Sequence, residues 1–398
     1  MGGVDMENIF AKRMDNVPSS FISEILKLID DTEIISFAGG LPNKDLFPVK
    51  EIRNAANYQL ENYGTEILQY STTEGYLPLR EFIAERYNKN KNLNISAENV
   101  LITHGSQQAL DLIGKVFLND NDAVAIEEPG YLGAIQCLSI FSKNFVPIKL
   151  ENDGLNLEEL HIAYENFSPK IIYTVPNFQN PTGISYSFEK RNKIVDLLKS
   201  YNTFIIEDDP YGELRYEDEE IESFGKLLPE QTILLGSFSK IVAPGFRIGW
   251  LIAPDKIMDK FVIAKQAADL HSNYVGQRII YQYLKDTDLD KHILDIKATY
   301  NSQRLTMIES IERYFPKSVE FTKPNGGMFL WVTLPKNISA VNLLNHSIEK
   351  KVAFVPGDPF YVKKSDVNTL RLNYSCSDEK TIEEGIKRLA ICIKELIK

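Results

Sequence analysis

Four polar segments of the sequence contain residue types that can bind an anion, supply an amine nucleophile and orient a carboxylate. A helix start offers free N–H groups to an anion, and a buried lysine with a lowered pKa is both a nucleophile and a base. Each segment alone is equally typical of a turn, a helix cap or a solvated loop. Their common place after predicted strands is what favours a shared site. The segments are Thr103–Gln107, Asn177–Gly183, Glu207–Tyr211 and Gly236–Lys240, the last followed by Arg247.

The elements that must position these segments are strands that alternate with helices. Helical spacing of apolar residues marks Ser106–Leu118 and Phe188–Ser200 as amphipathic helices. Such alternation predicts an α/β fold, with a large domain built on a mostly parallel seven-stranded sheet flanked by helices. Sites in such sheets form at the carboxyl ends of the strands. The predicted strands are Val100–Thr103, Ala123–Ile126, Phe145–Leu150, Ile171–Val175, Phe204–Glu207, Ile233–Leu235 and Gly249–Ile252.

The pattern changes after Pro254, which predicts a smaller α+β domain. One long helical stretch runs from about Asp255 to Asp286, and a second continues through Tyr314. A strand–Gly-Gly–strand unit, two further strands and an amphipathic C-terminal helix follow. We expect an N-terminal segment over 1–50 that joins the small domain, a large domain over 51–285 and a small C-terminal domain over 286–398.

Composition excludes several other classes of protein. The 398 residues include 44 Lys and Arg against 55 Asp and Glu, so the net charge of −11 opposes binding to nucleic acid or to an anionic membrane. The 3 cysteines are far apart and the 5 histidines are scattered, so no metal site is expected. No apolar run reaches the ~20 residues of a membrane span. We therefore expect a cytoplasmic protein.

The ordered set of motifs resembles the fold-type I pyridoxal 5′-phosphate (PLP) enzymes of the class I and II aminotransferases, and within them the 2-aminoadipate and kynurenine aminotransferases. The resemblance covers nearly the whole chain, and the order of the motifs makes it specific. The matching segments are FAGGLPNKDLFP (37–48), LQYSTTEGYLPLR (68–80), THGSQQAL (103–110), EEPGY (127–131), NPTG (180–183), EDDPY (207–211), GSFSKIVAPGFRIGW (236–250), PNGGMFLW (324–331) and LRLNYS (370–375).

The resemblance implies a role for each polar residue around the cofactor. Lys240 is implied to bond covalently to PLP, and Asp208 to keep the pyridine nitrogen protonated so that the ring withdraws electrons. Asn180 and Tyr211 are implied to bind the phenolic oxygen of the ring, and Tyr131 to stack on it. The implied phosphate ligands are Ser106, Gln107, Ser237, Ser239 and Arg247.

The resemblance also implies how substrate is bound. Arg371 matches the arginine that binds the substrate α-carboxylate, with Asn180 beside it. Gly39 and Gly40 lack side chains, so backbone can approach the ligand closely. Tyr70 matches a tyrosine that reaches the cofactor phosphate of the other subunit, which implies a homodimer with a shared active site.

The implied reaction is amino-group transfer from an amino acid to a 2-oxo acid by a ping-pong mechanism, with 2-oxoglutarate as the expected acceptor. Ser23 stands where some 2-aminoadipate-preferring relatives carry an arginine, so acidic, aromatic and branched-chain donors all stay open. The same scaffold also hosts PLP-dependent lyases and decarboxylases. A ligand-sensing regulator module is a further alternative, although only about twenty residues precede the first predicted helix, too few for a winged DNA-binding domain. An unrelated nucleotide-binding α/β protein is the last alternative.

Overall fold

The computed structural model of the protein describes residues 9–14, 17, 33–217 and 220–397. The strands in these ranges are β1 (Ile35–Ser36), β2 (Val100–Thr103), β3 (Val124–Glu128), β4 (Phe145–Glu151), β5 (Gly154–Leu155), β6 (Ile171–Thr174), β7 (Phe204–Asp208), β8 (Thr232–Ser237), β9 (Gly249–Ile252), β10 (Glu320–Phe321), β11 (Phe329–Thr333), β12 (Val352–Ala353), β13 (Val355–Pro356) and β14 (Thr369–Asn373).

The α-helices of the same ranges cover both faces of the large sheet and form much of the C-terminal part. They are α1 (Val49–Ile67), α2 (Leu77–Lys91), α3 (Gly105–Phe117), α4 (Leu132–Leu138), α5 (Leu157–Phe167), α6 (Phe188–Leu198), α7 (Phe224–Leu227), α8 (Asp255–Asp269), α9 (Tyr274–Asp286), α10 (Leu289–Tyr314), α11 (Ala340–Glu349) and α12 (Glu379–Ile397). No helix within the described ranges is long and apolar enough to span a membrane.

The large sheet has the strand order β2-β9-β8-β7-β6-β3-β4-β5. Strands β8, β7, β6, β3 and β4 pair in parallel, whereas β9 runs antiparallel to both of its neighbours. The α/β fold and all seven predicted strands are confirmed. The sheet has eight strands rather than seven, because the two-residue β5 pairs with the end of β4. A strand this short carries no period-2 pattern that the sequence could show.

Burial on both faces of the sheet explains why its central strands read as continuous apolar runs. Successive strand residues point to opposite faces. In β7, Ile206 packs in the larger core with α3, and the adjacent Ile205 packs in a second core with α5 and α6. Strand β7 ends in Glu207 and Asp208, and β8 ends in Ser237, so each strand has polar side chains at its carboxyl end. This edge is where the predicted site segments meet.

The single helix expected over 255–286 is wrong, because the structure divides it into α8 and α9. Leu270 has a positive φ of 63°, which ends α8. The side chain of Asn273 then caps α9 by accepting a hydrogen bond from N of Gly276 across 3.0 Å. An asparagine that caps a new helix start competes with helix continuation, a signal that the apolar periodicity concealed.

The C-terminal part contains an antiparallel sheet in the order β10-β11-β14-β13. The N-terminal strand β1 pairs in parallel with β12, with Ile35 opposite Val352. This pairing agrees with an N-terminal segment that joins the small domain, while the domain boundaries themselves stay predictions. In β14, Arg371 lies opposite Trp331 of β11, and the stretch after β1 passes beside it.

Candidate active site

A cavity of about 470 Å³ lies at the carboxyl edge of the large sheet, against β11 and β14. Twelve of the fourteen residues expected at the site line it, drawn from segments more than 300 positions apart. They are Gly40, Ser106, Gln107, Tyr131, Asn180, Asp208, Tyr211, Ser237, Ser239, Lys240, Arg247 and Arg371. The ordered spacing in the sequence therefore corresponds to one place in the fold.

Lys240 follows the end of β8 and points its amine at the N-terminal stretch. Its Nζ donates to the carbonyl oxygen of Gly40 across 2.6 Å. Burial lowers the pKa of Lys240 to about 8; Cys376 opposes this shift, and Arg371 and Arg247 add to it. About a tenth of the amine is then neutral at pH 7, far more than for a lysine in water. This amine can act as a nucleophile or as a base.

Asp208 lies at the end of β7 with only 2% of its surface exposed. Its Oδ2 accepts from the hydroxyl of Tyr173 across 2.7 Å, and its Oδ1 is buried without a partner among the described residues. Burial raises the pKa of Asp208 to about 7, against the lowering effect of the Tyr173 hydrogen bond. A cationic N–H in the cavity would satisfy the orphaned oxygen and restore the carboxylate charge.

The neighbouring Asp209 has a different environment. Its Oδ2 accepts from Nζ of Lys91 across 2.9 Å, and its Oδ1 accepts from the side chain of Asn177 across 3.0 Å. The Lys91 charge keeps the pKa of Asp209 below its usual value despite burial. Asp209 is thus a paired structural carboxylate, whereas Asp208 has a free oxygen.

One end of the cavity is suited to an anion. Ser106 and Gln107 lie in the first turn of α3, where backbone N–H groups have no partner in the helix. Ser237 donates to Ser239 Oγ across 2.8 Å, and Arg247 Nη1 lies 3.5 Å from the same oxygen. A Cβ built on Gly105 would lie 2.5 Å from Nη2 of Arg247. The glycine therefore keeps open the space in front of this guanidinium.

Arg371 is a buried cation with an exposed fraction of 2%. Nη1 donates to Oδ1 of Asn180 across 2.9 Å, and Nη2 donates to the carbonyl oxygen of Ala38 across 2.7 Å. Its Nε has no partner and no carboxylate pairs with it among the described residues. Burial lowers its pKa to about 10. A buried guanidinium without an anion is suited to bind a carboxylate ligand.

The aromatic residues of the cavity pack around these groups. Burial raises the pKa of Tyr131 to about 12 and also raises that of Tyr211, so both phenols stay neutral. Tyr131 lies against Gly133, where a Cβ would come within 2.6 Å of its ring. Phe329 of β11 stands edge-on to Tyr211 and lies 4.3 Å below the Arg371 guanidinium. The cavity wall therefore includes these three aromatic rings, which suit a flat ligand.

Two expected residues, Gly39 and Tyr70, lie elsewhere. Gly39 is adjacent to Gly40 but does not line the cavity, and a Cβ on either glycine would make only ordinary contacts within this chain. Tyr70 is 78% exposed and packs edge-on against the ring of His271, outside the cavity. Ser23 lies outside the described residues.

Sequence reasoning missed two residues that the cavity uses. Tyr173 binds Asp208 but sits in an apolar strand, where a tyrosine reads as core. Phe329 follows the Gly-Gly turn at the start of β11 and reads as an ordinary strand aromatic. The strand order brings β6 next to β7, so only the pairing of these two strands reveals the Tyr173 contact. Within the described ranges, no cluster of side chains has the composition of a metal site.

The sequence and structure of the chain are similar to those of known proteins. Residues 32–389 match the family described as aminotransferase class I and II. The aromatic-amino-acid aminotransferase 1 of Thermococcus litoralis is 41% identical over 401 residues, which cover 99% of this chain and 96% of that protein. The 2-aminoadipate transaminase of Thermus thermophilus is 39% identical over 392 residues, covering 98% and 97%. The crystal structure of Pyrococcus horikoshii kynurenine aminotransferase in complex with PMP superposes with a TM-score of 0.94 at 42% identity, covering 99% of both chains.

Proposed function

The chain belongs to the class I and II aminotransferases, which use PLP, and from that premise we propose which of its residues perform the transfer and on which substrates. The observation that carries the proposal is the convergence on one cavity of a low-pKa amine, an orphaned carboxylate oxygen and an unpaired guanidinium. Together these groups match the three chemical demands of the reaction: a base, a counter-charge for the ring and an anchor for an amino acid.

The residues of the cavity fit PLP at both of its ends. The free Oδ1 of Asp208 suits the protonated ring nitrogen, and the anion site beside Arg247 suits the phosphate. Lys240 lines the same cavity and suits the cofactor aldehyde. When bound, the cofactor supplies an electron-withdrawing ring that stabilises negative charge at the substrate Cα.

Lys240 then has two tasks in succession. It would hold the cofactor, and when an amino acid takes its place its free amine would act as the base that removes the proton from the substrate Cα and as the acid that returns one. A pKa of about 8 suits this work because a lysine with an ordinary pKa would stay protonated near neutrality. Hydrolysis releases the first 2-oxo acid before the second one enters, which gives ping-pong kinetics.

Arg371 and Asn180 orient the substrate by its α-carboxylate. Arg371 is a donor only, so Oδ1 of Asn180 must face it, which leaves the Asn180 amide group to donate into the cavity. Tyr211 lines the same cavity as Asn180, so these two donors can share the phenolic oxygen of the ring. One asparagine thus connects the carboxylate anchor with the cofactor.

The walls of the cavity bear on the choice of donor. Leu41, Leu132, Val175 and Phe329 supply apolar surface, while Gln136 adds a polar amide. We propose a broad donor range that includes aromatic and branched-chain amino acids, with 2-oxoglutarate as acceptor. The names of the Thermococcus and Thermus relatives, which concern aromatic amino acids and 2-aminoadipate, are compatible with this range.

We further propose a homodimer in which Tyr70 reaches the phosphate site of the partner subunit. Tyr70 is 78% exposed and too far outside its own cavity to line it, and apolar side chains are also exposed nearby in sequence at Leu60, Tyr63 and Leu68. Mixing inactive Lys240→Ala protein with inactive Tyr70→Ala protein should restore activity through hybrid dimers. Mixtures that stay inactive would contradict a shared site. The cytoplasmic location stays a prediction, with which the three free cysteines agree.

The decisive experiment is an absorption spectrum of the PLP-loaded protein before and after addition of single amino acids. The band of the lysine-bound cofactor should convert to that of pyridoxamine phosphate, with release of the matching 2-oxo acid. Lys240→Ala should lack the first band and all turnover. If the band forms but every amino acid yields ammonia, carbon dioxide or a cleaved side chain instead, the protein is a lyase or a decarboxylase.

A further inference from the structure

Gln179 lies behind the cavity and contacts two of the loops that form it. Its side chain is fully buried. Nε2 donates to Oε2 of Glu127 across 2.9 Å and to the carbonyl oxygen of Pro129 across 2.8 Å. Oε1 accepts from N and from Oγ1 of Thr182, at 2.9 and 2.6 Å. All four hydrogen-bonding positions of this amide are therefore occupied.

The backbone of Gln179 closes the second of these loops. Its N donates to the carbonyl oxygen of Ile184 across 2.8 Å, and its carbonyl oxygen accepts from N of Gly183 across 2.6 Å. Asn180 is the next residue, at the top of this turn. The first loop runs from Glu127 through Pro129 to Tyr131, so the Gln179 amide bridges the chain segments that deliver Tyr131 and Asn180 to the cavity.

Glu127 anchors this bridge from the end of β3. Besides Gln179, it accepts from the hydroxyl of Tyr186 across 2.7 Å and from N of Val175 across 3.0 Å. Every partner of this fully buried carboxylate is a donor, so the ionised form satisfies all of them. Burial nevertheless raises the pKa of Glu127 to about 7, because the three donors only partly offset the loss of water. Glu127 does not line the cavity and has no task in the reaction described above.

We propose that Gln179, held by Glu127, is a positioning residue that fixes Asn180 relative to Tyr131. In this way it sets the affinity for PLP and the pH at which the lysine-bound cofactor loses its proton. The proposal rests on the proposed function only through the role of Asn180. Its effect is measurable as cofactor affinity, without any turnover.

The first test replaces Gln179 by methionine, which has similar length but cannot form the bridge. Gln179→Met should weaken PLP binding about tenfold and lower kcat by roughly 10- to 100-fold, because small misplacements of active-site groups are costly. The pH midpoint of the lysine-bound cofactor band should rise, since a displaced Asn180 no longer favours the deprotonated form. Gln282→Met is the matched control, because Gln282 is a buried glutamine bonded to Gln59 and Asp286 outside the cavity. Unchanged PLP affinity and pH midpoint in folded Gln179→Met protein would overturn the proposal.

A double-mutant cycle on the PLP dissociation constant then distinguishes positioning from general stability. In the Asn180→Ala background, Gln179→Met should cost less than about twofold, because the residue through which it acts is gone. If the two substitutions instead weakened PLP binding independently, so that their effects multiplied in the double variant, the proposal would be contradicted. Where Gln179→Met fails to fold, Glu127→Gln replaces it in the cycle. The NH₂ group of the new side chain would face a donor, either Nε2 of Gln179 or the hydroxyl of Tyr186, and would lose that hydrogen bond. If the proposed function is wrong, the wild-type protein itself will bind PLP but convert no amino acid, an outcome that does not depend on Gln179.

Discussion

Arg371 donates a hydrogen bond to Oδ1 of Asn180 across 2.9 Å, and neither residue is more than 6% exposed. This contact joins β14 of the C-terminal part to a loop that follows β6 of the large sheet. It orients the asparagine amide and holds the guanidinium in one orientation at the wall of the cavity. In the roles proposed above, the pair would couple substrate recognition to cofactor recognition.

Arg371→Lys should raise KM for every amino acid by at least about tenfold, because an ammonium cannot form two parallel bonds to a carboxylate. Steady-state kinetics with aromatic, branched and acidic donors measure the effect. A primary amine that lacks the carboxylate is the control substrate, and its conversion should be almost equal in the wild-type protein and the variant. A loss confined to one class of side chain would mean that Arg371 recognises the side chain instead.

Asp208→Asn should lower kcat by more than about 100-fold, since the ring nitrogen loses its counter-charge. Asp209→Asn is the comparison, because Asp209 is paired with Lys91 and its loss should reduce stability more than rate. Rapid-mixing measurement of the half-reaction, together with thermal unfolding of both variants, separates the two outcomes. A fast Asp208→Asn enzyme would show that the wrong carboxylate was assigned.

The raised pKa of Asp208 also predicts a pH dependence of stability in the cofactor-free protein. The native carboxyl keeps its proton up to about pH 7, whereas the unfolded chain loses it near pH 4. Between these values the native state binds more protons, so stability falls as pH rises. Urea unfolding at pH 5 and pH 8 measures the loss in the free energy of unfolding between these pH values. In Asp208→Asn this loss should be smaller than in the wild-type protein by about 1–3 kcal/mol. An unchanged difference between the two pH values would contradict the raised pKa.

Tyr173→Phe should weaken PLP binding at neutral pH but less so at pH 9. The Tyr173 hydroxyl lowers the pKa of Asp208, so its removal leaves more of the carboxyl protonated at pH 7. Fluorescence titration with PLP across pH measures this shift. Tyr164→Phe is the control, because Tyr164 is a buried tyrosine of the second core whose hydroxyl bonds Thr203. A similar effect in both variants would indicate general destabilisation.

Gly105→Ala should reduce affinity for PLP but not for pyridoxal, which has no phosphate. The new Cβ would lie 2.5 Å from the Arg247 guanidinium, and the φ of +68° disfavours alanine by about 1 kcal/mol. Gly245→Ala serves as control, since no atom of the described residues lies within 4 Å of its added Cβ. Equal losses for PLP and pyridoxal would place the phosphate elsewhere.

The sequence was sufficient for the α/β fold because each central strand is a short apolar run and each flanking helix an amphipathic one. It was sufficient for most of the cavity because parallel strands end at one edge, so residues such as Asp208 and Lys240 meet there. Individual contacts between residues distant in sequence could not be predicted. Neither the Tyr173 bond to Asp208 nor the Gln179 bridge leaves a signal in local spacing, because both depend on which strands are neighbours. The role of Tyr70 depends on a second chain.

The carbonyl oxygen of Ala38 accepts a hydrogen bond from Arg371, the guanidinium proposed to bind the substrate α-carboxylate. The backbone after β1 thus occupies a donor that a carboxylate ligand would also use. In that role, substrate would exchange with this oxygen, so its observed affinity would be a difference between two sets of hydrogen bonds. Such an exchange would limit how tightly an amino acid is retained, which would favour release of the 2-oxo acid.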